Sequence, residues 1–286
     1  MFGGEYLKGK KWNGNYKGYK LKNGKGIIRE YCINELIFKG EYLNGERNGK
    51  GQEYDSGEIL IFEGEYLNGK RWNGKGYDIK GNFIYELKDG KGYVKEYKYS
   101  KLVFEGEYLN GERNGRGKEY NHSGGILFIG EYLNGKRHGK GKEYDYFSGW
   151  LKFEGEYIYG CRIKGKEYFN YVDNEPKSKY ENIKTNTIIF EGDFLNYLRW
   201  NGKGKEYNNN ALIFEGEYLN GKRWNGNYKG YKLKNGKGII REYYNNELIY
   251  KGEYLNGERN WNGKEYGQNN LLIFEGEYWN GKKLEW

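Results

Sequence analysis

The chain repeats one phrase ten times, and this repetition constrains its fold more than any other feature. The commonest form is Phe-Glu-Gly-Glu-Tyr-Leu-Asn-Gly, usually followed by a basic segment and a Gly-Lys-Gly-Lys-Glu-Tyr return. One unit alone has too little apolar surface to bury, so units of this size stack on their neighbours. The clearer copies begin at Phe62, Phe104, Phe128 and Phe214, and the more divergent ones at Phe2, Phe38, Phe153, Phe190, Tyr250 and Phe274.

Each unit has the residue pattern of a β-hairpin. In residues 62–67, aromatic residues and glycine alternate with glutamates, which favours a strand with two different faces. Asn68-Gly69 follows as a turn, because glycine adopts positive φ at little cost. The sequence therefore predicts an all-β fold: an elongated, twisted, single-layer antiparallel sheet of stacked β-hairpins.

The pattern also predicts a strand register for the unit that begins at Phe128. This register places Tyr132 across from Gly141 and Glu131 across from Lys142. An aromatic ring over a cross-strand glycine supplies packing that the glycine lacks. The Glu–Lys pair, repeated in each unit, is expected to contribute roughly 0.3 kcal/mol per unit.

The units keep a constant length although their basic tips differ. From Phe104 to Phe128 the tip is the short Arg-Asn-Gly type, and from Phe190 to Phe214 it is the long Arg-Trp-Asn-Gly type. Both spacings are 24 residues, because the following linker is one residue shorter after the long tip. A fixed total predicts hairpins that stack in a constant register.

One segment interrupts the array. Residues 169–189 contain Pro176 and no recognisable unit. Because proline cannot donate to a sheet ladder, we expect an edge, a bulge or a loop here. The sequence thus predicts repeat arrays at 1–168 and 190–286 that are separated either by a surface insertion or by a hinge.

The composition limits the function classes. The formal net charge of +9 results from 49 basic and 40 acidic residues that are interleaved. Such a mixed surface lacks the basic face with stacking aromatics that nucleic-acid binding needs, so we expect no nucleic-acid partner. Cys32 and Cys161 imply no disulfide framework, and no apolar run is long enough to span a membrane. We expect a cytoplasmic protein, with the cytoplasmic face of a membrane as a possible location.

No residue pattern indicates catalysis. Gly-Lys-Gly lies inside a predicted strand and lacks the rest of a phosphate-binding loop. His122 and His138 have no second candidate ligand at metal spacing. Glutamate pairs such as Glu105 and Glu107 recur opposite lysines, which favours ion pairs over acid–base chemistry. We therefore expect no enzymatic activity, no catalytic residue, no metal and no cofactor.

The repeated residues resemble MORN repeats, whose pattern is an aromatic residue, Gly, an acidic or polar residue, an aromatic residue, Asn-Gly and a Gly-x-Gly return. Phe194 departs from the pattern, and Tyr197 replaces the turn glycine. The resemblance covers the chain except residues 169–189. It implies a scaffold that organises other proteins, often near membranes, and some members have been credited with phosphoinositide binding. The residues that match the pattern in one unit are Phe128, Gly130, Tyr132, Asn134, Gly135, Gly139 and Gly141.

The first candidate binding surface is a file of aromatic residues, one per unit. In a single-layer sheet one face lacks a covering layer, and an uncovered apolar stripe usually marks an interaction surface. We expect this file to bind a helical or extended segment of a partner protein. The alternative is that the rings only pack against neighbouring repeats and glycines. The file comprises Tyr42, Tyr66, Tyr108, Tyr132, Tyr157, Phe194, Tyr218 and Tyr254.

The second candidate surface is the row of basic tips. Lysine and arginine attract anionic lipid, and tryptophan suits a membrane interface. This pattern predicts, as an alternative function, a peripheral membrane module that binds anionic phospholipid or phosphoinositide. Solvated turns are the other interpretation, because tips with a glutamate alternate with the basic ones. The tip residues are Lys70, Arg71, Trp72, Lys136, Arg137, Arg199, Trp200, Lys222, Arg223 and Trp224.

The favoured prediction is a non-enzymatic, rod-like scaffold or adaptor that binds a partner protein along the aromatic file. Terminal hairpins expose unpaired strand edges, which favour end-to-end self-association. The last unit reaches Trp286 before any return strand. The partner and the pathway are not determined by the sequence.

Overall fold

A computed structural model describes residues 3–16, 19–169, 187–208, 211–228, 231–245 and 247–284. It confirms the all-β fold class: antiparallel hairpins stack in open sheets, and the described residues contain one short 3-10 turn, Gln268–Asn270. The chain divides into two compact units, Met1–Gly149 and Trp150–Trp286.

The first unit contains the strands β1 Gly3–Leu7, β2 Lys10–Tyr16, β3 Tyr19–Lys22, β4 Lys25–Cys32, β5 Glu35–Leu43, β6 Glu46–Asp55, β7 Ile59–Leu67, β8 Lys70–Tyr77, β9 Phe83–Leu87, β10 Gly92–Lys98, β11 Lys101–Leu109, β12 Glu112–Tyr120, β13 Ile126–Leu133 and β14 Lys136–Tyr144. Strands β1 to β9 pair in chain order, and so do β10 to β14. Each strand therefore forms its sheet hydrogen bonds only with its sequence neighbours, as the repeat predicts.

The second unit contains the strands β15 Leu151–Ile158, β16 Cys161–Phe169, β17 Thr187–Leu195, β18 Leu198–Asn208, β19 Ala211–Leu219, β20 Lys222–Tyr228, β21 Tyr231–Leu233, β22 Gly238–Tyr244, β23 Glu247–Leu255, β24 Glu258–Tyr266, β25 Leu272–Trp279 and β26 Lys282–Lys283. Strands β15 to β21 pair in chain order, and so do β22 to β26. All of these pairings are antiparallel.

Two-residue turns connect the strands of each hairpin. Asn68 and Gly69 both have positive φ, 50° and 83°, which is the type I′ geometry that matches the twist of a hairpin. The amide of Gly69 also donates to the carbonyl of Arg47 in the preceding hairpin, at 2.9 Å. The same bond links Gly135 to Arg113. The Asn-Gly turn therefore connects neighbouring units as well as neighbouring strands.

The predicted register of the hairpin β13–β14 is wrong. Gly141 lies across from Gly130, and Tyr132 lies across from Arg137. The reason is that the turn takes only two residues, so the basic tip belongs to the return strand rather than to the turn. An irregularity between Gly130 and Tyr132 absorbs the extra residues.

The expected Glu–Lys pairing is found on one strand pair and not on another. Lys142 lies across from Ile129 rather than from Glu131. By contrast, Glu105 lies across from Lys118 in β11–β12, and their side chains form an ion pair at 3.2 Å. Both side chains are partly exposed, so this pair contributes at most about 0.5 kcal/mol.

The expected constant register of stacking is confirmed between hairpins, where Gly51 lies across from Gly64 after a short tip and Gly204 lies across from Gly216 after a long tip. Within a hairpin the register depends on the tip. In a hairpin with a short tip, the second glycine of Gly-Lys-Gly pairs with the strand before it, as Gly51 does with Gly40. In a hairpin with a long tip, the first glycine pairs instead, as Gly74 does with Gly64. Trp72 is the extra residue that opposes no partner. The length of the tip therefore decides which glycine of the return strand lies across from the glycine of the preceding strand.

The predicted interruption at 169–189 lies largely outside the described residues, which omit 170–186. Strands β16 and β17, on either side of it, pair directly, with Gly165 across from Gly192. Whether the segment is a hinge or a surface insertion stays a prediction. The expectation that the last unit has no return strand is wrong, because Lys283 in the short strand β26 lies across from Tyr278. Trp286 lies outside the described residues, and the end-to-end contact stays a prediction.

We predict that alanine at a paired glycine destabilises the fold more than alanine at a turn glycine. A Cβ at Gly51 would lie 2.7 Å from the Phe38 ring, whereas a Cβ at Gly69 meets nothing within 4 Å. Gly51→Ala should lower the free energy of unfolding by about 3 kcal/mol, and Gly69→Ala by about 1 kcal/mol through its positive φ. Urea unfolding of both variants measures the difference, and equal losses would contradict the close packing.

Candidate functional site

The predicted aromatic file lies in the core rather than on an open surface. We call the face of each sheet that carries Phe62 and Tyr66 the inner face, and the face that carries Glu63 and Glu65 the outer face. Tyr108 is half-buried, and all the other rings of the file are buried. The expected uncovered stripe is therefore not found at these residues. The buried rings are Tyr42, Tyr66, Tyr132, Tyr157, Phe194, Tyr218 and Tyr254.

Neighbouring units interlock through these rings. The ring of Tyr66 packs edge-on against Phe38 of the preceding hairpin, with 5.1 Å between centroids. Phe194 packs in the same way against Phe153 at 5.3 Å. Edge-to-face pairs at this distance add about 1 kcal/mol to the gain from burial. These contacts agree with the alternative interpretation of the file, in which the rings pack against neighbouring repeats.

Arginine side chains close the inner face. Arg47 lies 4.0 Å from the centre of the Phe38 ring, and Arg137 lies 4.2 Å from that of Phe128. A guanidinium over an aromatic face is attracted by the ring quadrupole while its edge still forms hydrogen bonds. The same placement occurs at Arg71, Arg113, Arg162, Arg199, Arg223 and Arg259. The sheet thereby covers its own aromatic face.

Glutamates of the return strands hold these arginines. Glu119 accepts a hydrogen bond from the Tyr132 hydroxyl at 2.8 Å and another from Arg137. Arg113 approaches the same carboxylate at 3.8 Å. Glu96, Glu206 and Glu242 each accept from one tyrosine and one arginine in the same way. These glutamates and arginines form a ladder of ion pairs across the inner face.

The ladder shifts the pKa of its carboxyl groups. Burial alone would raise the pKa of Glu119, but the hydrogen bond and charge of Arg137 and the hydrogen bond from Tyr132 outweigh it. The pKa of Glu119 therefore lies below its ordinary value. The pKa values of Glu96, Glu206 and Glu242 are lowered by the same opposing effects.

The predicted basic tips are largely engaged in these contacts. Arg71, Arg137, Arg199 and Arg223 lie in return strands and form ion pairs with inner-face glutamates. Lys70 and Lys222 pair with Glu112 and Glu258, both at 2.8 Å. Lys136 is exposed. Lipid binding through these arginines would have to compete with the ion pairs that support the fold.

The tip tryptophans pack against the next turn in the chain. A Cβ at Gly90 would lie 2.9 Å from Trp72, and one at Gly236 would lie 2.7 Å from Trp224. The carbonyl oxygens of Trp72 and Trp224 accept the amides of those two glycines, at 2.8 Å. Trp200 takes the same position against Gly221. These contacts place all three rings under a turn and leave them half-buried.

The accessible feature shared by both units is a groove on the outer face, which we call the outer groove. In the first unit its floor is the strand backbone at paired glycines, and its volume is about 620 Å³. The floor glycines are Gly40, Gly51, Gly64 and Gly74. The residues before and after each glycine on its strand form the two walls.

The walls alternate in charge from strand to strand. On one side, Lys50 lies across from Glu65, and on the other, Lys75 lies across from both Glu63 and Glu86. Further along the chain in the same unit, the Glu131 carboxylate accepts the Lys140 amide at 3.1 Å. This bond fixes the wall carboxylate where the strand bulges. The outer groove therefore presents a preorganised row of alternating charges over a flat floor.

The outer groove recurs in the second unit. One segment has a volume of about 480 Å³ and a floor that includes Gly204 and Gly216. Another has about 300 Å³ and a floor of Gly252, Gly263 and Gly276. The recurrence follows from the repeat, because most units supply the same glycine pair between two polar residues.

The sequence analysis assigned the recurring arginine to a basic tip and so missed its place over the aromatic core. It placed the recurring glycines in the strands, but as partners of aromatic rings rather than as the floor of the outer groove. Arg47 and Glu53 are six residues apart on one strand, and this spacing recurs at Arg113 and Glu119. A residue that recurs in most units, while its neighbours vary, is a signal of packing within the array. Lys70 and Glu112 occupy one such variable position beside the turn. The arginine was therefore identifiable as a core residue rather than as a tip.

Other site chemistries find no support in the described part of the chain. No group of three or more His, Cys, Asp or Glu side chains is arranged there to hold a metal ion. The described residues contain no helix that is long and apolar enough to cross a membrane. No protein-family model matches the chain, and no curated protein matches it.

We predict that charge reversal lowers the free energy of unfolding much more at Arg137, in the ladder of ion pairs, than at Lys136, at the exposed tip. Arg137→Glu would place a carboxylate beside Glu119 and over the Phe128 ring, so the free energy of unfolding should fall by about 3 kcal/mol. The matched control is Lys136→Glu, an exposed neighbour with the same change in charge, which should cost less than about 0.5 kcal/mol. Thermal or urea unfolding measures both. Equal effects would show that Arg137 is a solvated tip residue.

We predict an acid-dependent loss of stability that depends on the ladder. Because the pKa of Glu119 is lower in the folded state, its contribution is complete above the unfolded pKa of about 4.3 and is lost as the pH falls through the folded value. The free energy of unfolding should therefore fall below about pH 5. Glu119→Gln should be about 1 kcal/mol less stable than the wild type at pH 7, and the difference should narrow at pH 3. A difference that is constant between these pH values would contradict this role.

Proposed function

We propose that the protein is a non-enzymatic scaffold that binds an extended segment of another protein along the outer groove. The observation that supports this most directly is the groove itself, which both units build from repeated glycine pairs. The inner face is closed by Arg47 and its equivalents, so the outer face is the accessible surface. Repetition without a unique cluster of reactive groups suits binding better than catalysis.

The width of the outer groove favours an extended partner. Its walls stand two residues apart along each strand, about 7 Å. An α-helix with side chains is about 10 Å wide and would rest on the walls rather than on the floor. An extended chain fits, with its polar side chains directed to Lys50, Glu65, Lys75 and Glu86. The partner segment we propose is therefore polar and carries charges of both signs.

The resemblance to MORN repeats supports the scaffold class, because arrays of that family organise other proteins. The alternative, binding of anionic lipid through the Arg–Trp tips, receives less support from the contacts of Arg71 and Trp72. A cytoplasmic location agrees with both proposals and remains untested.

We predict that photo-crosslinking residues placed in the groove capture one segment of one protein. Lys39 and Lys75 lie on opposite ends of the same wall, three strands apart or about 14 Å. A photoreactive residue at each position should link to sites about four residues apart in an extended partner. A helical partner would give sites about nine residues apart. The crosslinking is carried out in the cells that express the protein, and mass spectrometry of the products measures the spacing between the linked sites.

The control places the same photoreactive residue at Lys80, an exposed loop position outside the groove. It should give no product with that segment. The double variant Lys39→Glu/Lys75→Glu should abolish the wild-type complex while leaving the fold intact, because both side chains are exposed. Crosslinks that scatter over unrelated proteins, or that are equal at Lys80, would overturn the proposal.

A further inference from the structure

One segment of the outer groove in the first unit has a wall that differs from the common one. The residue between the recurring aromatic residue and the floor glycine is glutamate in most units, as at Glu63 and Glu105. In the remaining units it is lysine, glycine or, in β13, Ile129. Because alternate residues of a strand share a face, Ile129 lies on the outer face, where it is half-buried. An apolar side chain therefore replaces the usual wall carboxylate.

This replacement changes the charge pattern of the wall. Lys118 of β12 and Lys142 of β14 both lie directly across from Ile129. In the second unit, the same position between two lysines holds Glu191. Lys118 is still paired with Glu105 on its other side, at 3.2 Å. The wall thus has two lysines separated by an apolar residue, where a glutamate usually separates them.

The opposite wall of the same segment contains a second apolar residue. Tyr93 lies across from Glu107, in the place where Lys50 lies across from Glu65 elsewhere in the unit. Its side chain is 52% exposed and lines this segment of the groove, whose volume is about 380 Å³. Tyr93 and Ile129 therefore supply one accessible apolar surface in each wall.

The charged residues that line this segment are mostly basic. Arg116, Lys118 and Lys140 face one carboxylate, Glu131. The segment of about 620 Å³ in the same unit is lined instead by three lysines and four glutamates. Arg116 and Lys140 are exposed, and within the described part of the chain neither side chain forms an ion pair. A partner with acidic side chains would complement this segment and not the other one.

We infer that this segment of the outer groove, crossed by strands β10 to β14, binds an acidic, extended stretch of a partner protein that also carries apolar side chains. Acidic side chains of the partner pair with Arg116 and Lys140, and apolar side chains pack against Tyr93 and Ile129. Crossing these five strands takes about 19 Å, or about six residues of an extended chain. The inference rests on the proposed function and specifies the chemistry of the partner at one place in the groove.

A protein chain fits this segment better than a nucleic acid or a membrane does. Apolar and basic side chains stand on both sides of a floor formed at Gly117 and Gly130. An extended chain enters between walls about 7 Å apart and offers acidic and apolar side chains together. A nucleic acid needs a row of basic residues along its phosphates, which Glu131 interrupts. A flat membrane surface would reach the outer ends of the walls and not the floor.

The test uses a variant that restores the common wall. Ile129→Glu places a carboxylate between Lys118 and Lys142, so the protein should fold. The probe is a blocked peptide of about eight residues with a neutral fluorophore, in which pairs of glutamates alternate with pairs of leucines. Each edge of the extended peptide then carries both residue types. Fluorescence anisotropy should show binding to the wild type and at least about 5-fold weaker binding to the variant.

The matched control makes the same change at an apolar wall position of the other segment. Ile27 is 52% exposed and lines the segment of about 620 Å³, so Ile27→Glu should bind the peptide as the wild type does. A second variant, Lys140→Glu, changes an exposed side chain and should also weaken binding at least about 5-fold. Circular dichroism checks that all three variants are folded.

Several outcomes would overturn the inference. These are the absence of peptide binding to the folded wild type, equal binding by Ile129→Glu and Lys140→Glu, and equal binding of a peptide with lysines in place of the glutamates. Binding of phosphatidylserine vesicles instead of the peptide, lost in Lys140→Glu, would assign a membrane surface. If the peptide does not bind but photo-crosslinking from Lys39 and Lys75 still captures one partner segment, this inference fails and the proposed function stands. If both experiments fail, both proposals fail.

Discussion

The rest of the structure depends on a guanidinium group placed over an aromatic ring. A sheet of hairpins buries its phenylalanines on one face, and in most units an arginine of the return strand covers that ring, whereas Lys283 covers Phe274. The arginine can remain there because a glutamate accepts hydrogen bonds from its edge, and a tyrosine hydroxyl donates to the same glutamate. Charge, hydrogen bond and ring contact are thus combined in one motif, which lets a sheet close its own core.

Glycine shapes the inner face of the sheet and marks the position of the outer groove. On the inner face, the absence of a side chain at Gly51 lets the Phe38 ring lie against the backbone. On the outer face, the strand backbone at the same glycines forms the floor of the outer groove, and the side chains before and after each glycine form its walls. The alternation of the two faces therefore places the groove directly behind the core. The groove recurs wherever the core recurs, which makes it a property of the repeat rather than of one unit.

Against this uniform background, departures from the repeat are informative. The array contains its own reference, since each turn can be compared with the others in the same chain. Tyr197 and Leu198 replace residues that the turn geometry prefers, and their side chains remain in solvent. These two residues therefore differ from Trp72 and its equivalents, whose rings pack beneath a neighbouring turn.

The sequence by itself determined the hairpins, their order and their stacking, because strand and turn signals are local and repeat with the unit. It did not determine the register: Tyr132 pairs with Arg137 because the bulge between the strands depends on how tip and neighbour fit together. Only the tertiary structure decided which face is open. Whether the aromatic file is covered depends on where Arg137 and Glu119 meet, and these residues come from different hairpins. Contacts between residues distant in sequence fix that choice, and no period in the sequence reports them.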